Sequence, residues 1–132
     1  MAMTLKKIIG IDLGTDTTQV YLRGQGIVVD EPSITAFNNK TNRIIAVGND
    51  AKKMMARTPT HITALRPVLH GIVADFEMAR EMIQRFLKNK NLPWSWVTEV
   101  VLSVPTNLTE VERKSFEDLV KEAGASKVYL IE

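Results

Sequence analysis

The sequence predicts a mixed α/β fold, on three observations. Its first third alternates apolar strands with glycine turns, and its last third runs strand, helix, strand through short connections. Between them, residues 33–66 read as a small insertion carrying strands and a short helix of its own. With 132 residues, 45% of them apolar and 24% charged, the chain matches one ordinary domain able to bury a real core.

Strands are expected at 7–12, 18–23 and 26–29. Gly14 lies in the first turn, and Gly24-Gln25-Gly26 forms the second, where two glycines suit a hairpin return. Glu31-Pro32-Ser33 is expected to break the ladder, because proline removes a donor. Residues 34–38 and 43–47 read as a strand pair around the polar turn Asn38-Asn39-Lys40-Thr41-Asn42. A short helix is expected over 49–56, capped by Asn49 or Asp50 and ended by Thr58-Pro59, with Ile62 to Leu65 extended before Arg66-Pro67.

Two longer helices are clearer. Over 76–88, Phe76, Ala79, Met82, Ile83 and Phe86 recur at helical spacing behind Asp75 as N-cap. The second starts at Thr109-Glu110-Val111-Glu112, a capping-box pattern, buries a stripe of Phe116, Leu119, Val120 and Ala123, and stops at Gly124. The near-continuous apolar run from Glu99 to Val104 precedes it and Lys127 to Ile131 follows, which predicts a parallel crossover.

Composition excludes several classes of function. A formal net charge of +2, with basic residues spread along the chain, argues against a nucleic-acid partner. Cysteine is absent, so disulfides and thiolate metal sites are excluded, and the cytoplasm is the expected compartment. His61 and His70 stand too far apart to form a metal cluster alone, and no Ser/His/Asp or zinc-type spacing occurs. No apolar run approaches the roughly eighteen residues that span a bilayer, and the start lacks the long apolar segment of a signal peptide.

The most informative stretch is Ile8-Ile9-Gly10-Ile11-Asp12-Leu13-Gly14-Thr15-Asp16-Thr17-Thr18. An apolar strand ends in an acid, turns on a glycine among hydroxyl residues, and returns. Such a turn can gather backbone N–H groups and hydroxyls around a phosphate. Asp12 could hold Mg²⁺ through its waters, since that ion keeps much of its hydration shell. An ordinary hairpin, in which Gly14 only supplies a permissive backbone, fits these residues equally well.

Further motifs bear on that choice. Ile9-Gly10-Ile11-Asp12-Leu13-Gly14-Thr15 is followed by Gly24-Gln25-Gly26-Ile27-Val28-Val29-Asp30-Glu31-Pro32-Ser33, Val47-Gly48, Arg57-Thr58-Pro59, Leu65-Arg66-Pro67 and Gly71-Ile72-Val73-Ala74-Asp75-Phe76. Val104-Pro105, Thr109-Glu110-Val111-Glu112-Arg113 and Ala123-Gly124-Ala125-Ser126-Lys127-Val128-Tyr129-Leu130-Ile131-Glu132 complete the series. In this order, over nearly the whole chain, they resemble the first half of an actin-fold (ribonuclease H-like) protein, and most closely the bacterial actin homologue MreB and its paralogues.

The resemblance implies an actin-like subdomain IA at 1–32 and 67–132, with an inserted α+β subdomain IB at 33–66. It implies ATP or GTP with Mg²⁺ as cofactor, self-association into filaments, and a place on the inner face of the cell membrane. Cell-wall elongation proteins are the implied partners, and rod cell shape the implied role. Carried over by position, Asp12 matches the acid near the metal, and Gly14, Thr15, Asp16 and Thr17 match the first phosphate loop. The family's loop usually has Ala-Asn where this chain has Asp16-Thr17. A carboxylate there repels triphosphate oxygens unless Mg²⁺ or a lysine intervenes, or unless it points outward and caps the turn locally.

Leu92, Trp94 and Trp96 fall where the family places membrane-entering residues, and indole rings favour the headgroup region. Lys88 and Lys90 lie close by. The full-length family is a weak ATPase or GTPase whose catalytic glutamate lies in a Glu-Pro step just after the position of Glu132. The second phosphate loop, the adenosine-binding glycines and the second large domain are also beyond it. Weak nucleotide binding and no meaningful hydrolysis are therefore expected of these residues alone, because the opposing wall of the cleft is needed for tight binding. Two other readings stay open: half of a chaperone-type or sugar-kinase-type ATPase, or a nucleotide-independent interaction fragment with exposed apolar surface.

Overall fold

A computed structural model describes residues 7–57, 60–92 and 97–132, with backbone alone at 97 and 98. The larger sheet combines β1 (Lys7–Leu13), β2 (Thr17–Leu22), β3 (Gly26–Pro32), β9 (Val97–Ser103) and β10 (Lys127–Ile131) in the order β10-β9-β1-β2-β3. The intervening strands are β4 (Thr35–Asn38), β5 (Arg43–Val47), β6 (Ile62–Leu65), β7 (Val68–Leu69) and β8 (Ile72–Val73). β1 pairs antiparallel with β2 and parallel with β9, which pairs parallel with β10. The meander and the strand–helix–strand unit thus share one sheet, joined along β1.

Alternation along the strands decides which face is buried. Ile9, Ile11 and Leu13 of β1, with Val20 and Leu22 of β2, are buried beside Val100 and Leu102 of β9. Against them pack α2 (Phe76–Asn89), through Met82, Ile83 and Phe86, and α3 (Glu110–Ala123), through Phe116, Leu119 and Val120. Full burial of each such side chain stabilises the fold by about 1.5–3 kcal/mol. The opposite face carries Tyr21, Ile27, Tyr129 and Ile131, each about half exposed or more. No described element covers that face.

The second sheet has the order β5-β4-β6, with α1 (Gly48–Met55) against it and a small core of Ile34, Ala36, Ala46 and Ala51. Ile44 and Val47 belong to the larger core, and the Arg85 guanidinium donates to the Ile44 carbonyl at 2.8 Å, so the two sheets are packed together.

Several local expectations change. β3 runs on to Pro32, which sits on the sheet edge where a missing donor does no harm. α1 begins at Gly48 rather than 49, and neither Asn49 nor Asp50 caps it. The Glu31 carboxylate does so instead, accepting from the Asn49 N–H at 3.1 Å across eighteen residues of sequence. β7 and β8 form a hairpin turned at His70 and Gly71, with φ of 52° and 74°. Two-residue strands are too short to show a period, so that hairpin leaves no pattern in the sequence.

Candidate functional site

The turn between β1 and β2 is gripped from three sides. Within it, the Gly14 N–H donates to the Thr17 carbonyl at 3.0 Å, and a Cβ on Gly14 would lie 2.8 Å from that same oxygen. Glycine is therefore required here for close approach. The Ser33 N–H donates to the Asp16 carbonyl at 2.9 Å. Arg66 donates from Nη1 to the Thr15 carbonyl at 2.9 Å and to the Asp16 carbonyl at 3.1 Å. The Gly71 N–H reaches the Thr15 hydroxyl at 3.4 Å. Beneath the turn, the Thr18 and Ser33 hydroxyls, both fully buried, pair at 2.7 Å.

These contacts settle where the Asp16 carboxylate points. Its side chain is 90% exposed and lies 3.8 Å from Arg66. It points outward, but the turn's own amides do not hold it; its partner comes from the far end of the insertion. An ion pair this exposed contributes little to stability. Of the loop amides, that of Gly14 is taken up inside the turn, while among the described residues those of Thr15 and Asp16 show no partner.

Asp12 ends the exposed row of β1. It lines an open hollow of about 280 Å³ with Gly10, Gln19, Tyr21, Val101 and Ser103. One carboxylate beside an amide and a hydroxyl suits a hydrated divalent ion better than a dehydrated one. No cluster of three or more His, Cys, Asp or Glu side chains occurs among the described residues. Arg66, Ser33 and Gly71 were not legible as loop partners, because each is distant in sequence from the turn it touches.

Leu92, expected among the membrane-entering residues, is turned inward. It is 8% exposed and packs in the larger core, with its N–H on the Leu87 carbonyl at the end of α2. An apolar residue closing a helix end is drawn inward by the same burial that holds Leu87. Trp94 and Trp96 lie outside the described residues. No described helix is long and apolar enough to cross a membrane.

A mixed sheet backed by two helices, with a small α/β lobe inserted after β3 and a polar turn after β1, defines the actin-like class. Three comparisons narrow it. The family model described as MreB/Mbl protein matches residues 6–132. The cell shape-determining protein Mbl of Bacillus subtilis is 38% identical over 125 residues, and MreB of Escherichia coli K12 is 41% identical over 130. Each alignment covers 94% of this chain and 38% of the relative, so the chain spans well under half the length of the relatives it matches. The crystal structure of MreB 5 of Spiroplasma citri bound to AMPPNP superposes with a TM-score of 0.87 at 36% identity, covering 96% of this chain and 38% of that one. The chain belongs to the MreB/Mbl family.

Proposed function

We propose that this chain supplies one wall of the nucleotide cleft of a filament-forming, cell shape-determining bacterial actin. The observation that carries the reading is the β1–β2 turn: its carbonyls are held by Arg66 and Ser33, and the Thr15 and Asp16 amides are unpartnered. The likeness to a relative described as bound to AMPPNP supports it. Gly14, Thr15, Asp16 and Thr17 would face the phosphates, and Asp12 would hold Mg²⁺ through water. Residues 1–32 and 67–132 would form the larger subdomain, with 33–66 as the smaller one. Self-association into filaments, cell-wall elongation partners and a place on the inner membrane belong to the same proposal, with Trp94, Trp96, Lys88 and Lys90 toward lipid.

Titration of the chain with ATP and with GTP, with and without Mg²⁺, tests the core of it. Magnesium-dependent binding that weakens in Asp12→Ala is expected; no binding of either nucleotide at millimolar concentration overturns the reading. For the lipid part, co-sedimentation with anionic vesicles should fall when Trp94 and Trp96 are both changed to Ala. The uncovered sheet face favours a second reading, a fragment that associates through Tyr21, Ile27, Tyr129 and Ile131 without nucleotide.

A further inference from the structure

Arg66 directly follows β6 and precedes Pro67, and its side chain is 30% exposed. One nitrogen, Nη1, donates to two successive carbonyls, those of Thr15 and Asp16. No peptide bond in the described chain is cis. In a trans peptide the carbonyl and the following N–H point opposite ways across one plane. Holding the Thr15 and Asp16 carbonyls toward Arg66 therefore turns the Asp16 and Thr17 N–H groups away from it. Both residues are exposed.

Electrostatics reinforce the geometry. Unpartnered, the two carbonyls would carry their partial negative charge freely around the turn and oppose an approaching anion. The guanidinium neutralises that charge with charge-assisted hydrogen bonds, roughly twice as strong as neutral ones. Ser33 adds a second donor to the Asp16 carbonyl, and Gly71 secures the Thr15 hydroxyl. Ser33 enters the small lobe and Arg66 leaves it, so both crossings of the chain grip the same oxygen.

We propose that Arg66 is the positioning residue of the β1–β2 turn, presenting the Asp16 and Thr17 amides to the phosphates of a nucleotide without touching them itself. This deepens the nucleotide reading and rests on it. The exposed Asp16 carboxylate is incidental to the device; the backbone carbonyls are its substance.

The test uses the ¹⁵N-labelled chain and two measurements. In the absence of nucleotide, Arg66→Met should move or broaden the amide signals of Thr15, Asp16 and Thr17 while those of Leu119 and Val120 stay in place. With Mg-ATP, its affinity should fall roughly tenfold, the loss expected on removing a charged donor from two backbone carbonyls. Arg66→Lys, which keeps a cationic donor, should recover most of it. Arg43→Met, removing a distant exposed cation on β5, should bind as the parent does. Should Arg66→Met lose its folded spectrum, Arg66→Gln keeps one donor and serves in its place. Loop amides unmoved by the substitution, or an unchanged affinity, overturn the proposal. A parent chain that ignores Mg-ATP sinks the nucleotide reading and the phosphate part of this one, while the nucleotide-free spectra still decide the positioning part.

Discussion

Thr18 and Ser33 show how one buried contact supports the turn. Their hydroxyls are each other's partners at 2.7 Å, and both residues are fully enclosed. Thr18→Val keeps the shape but strands the Ser33 hydroxyl, so it should cost about 1–3 kcal/mol in denaturant unfolding. Adding Ser33→Ala should return part of that loss. Gly48 is the second position with a sharp expectation. Its φ is 64°, and a Cβ there would collide with the Glu31 carboxylate and with the Phe86 ring 2.8 Å away. Gly48→Ala should destabilise by about 2–4 kcal/mol, combining backbone strain with overpacking, and a thermal melt reads it directly. The types of Asp12, Gly14 and Thr15 were legible because a strand ending in an acid and a glycine turn is a local pattern. Arg66 was visible only as a residue before proline, and no pattern along the chain joins it to a turn fifty residues away.

α3 is the element whose ends the sequence specifies most fully. The Thr109 hydroxyl accepts from the Glu112 N–H at 3.1 Å, and the Glu112 carboxylate accepts from the Thr109 N–H at 2.9 Å. Thr109→Ala should cost about 1 kcal/mol of stability, measured by denaturant titration. The Thr109 backbone N–H, then its hydroxyl, holds the Glu112 carboxyl below the usual range, and Lys121 does the same for Glu117. Lys114 is raised, first by its hydrogen bond to Asp118. The lowered carboxylates support the helix fully above their unfolded values and lose that support as pH falls through the folded ones. Lys114 supports it below its unfolded value and loses that as pH rises through the raised one. Exchange of α3 amides should therefore be slowest between these limits, with exchange corrected for its intrinsic pH dependence. α1 contrasts with α3: it carries candidate caps at Asn49 and Asp50, yet Glu31 of β3 occupies its N-terminus. Tertiary contact overrides local preference wherever a closer acceptor arrives from elsewhere.

Across the molecule, the larger sheet has helices on one face and, among the described residues, none on the other. Ile27 is 60% exposed and Tyr21 51%, more than scattered surface residues need. The chain is expected to self-associate with rising concentration, and Tyr21→Thr with Ile27→Thr should keep it monomeric in analytical ultracentrifugation; equal association by both proteins would exclude this face. Period-two and helical spacings, glycine turns and the capping box were enough to foresee the mixed α/β class, both long helices and the hairpins β1–β2, β2–β3 and β4–β5, because each depends on neighbours within a few residues. Burial, by contrast, is a property of the assembled layers. Leu92 was expected at the membrane from its position in the family pattern, and folding placed it in the core at the end of α2. The route of Asp16 outward, the grip of Arg66 and Ser33 on one turn, and the capping of α1 by Glu31 likewise join residues far apart along the chain. Local chemistry names the candidates for an anion-binding turn; which donors and acceptors are taken up, and which amides are left for a ligand, follows from the packing of distant segments in three dimensions.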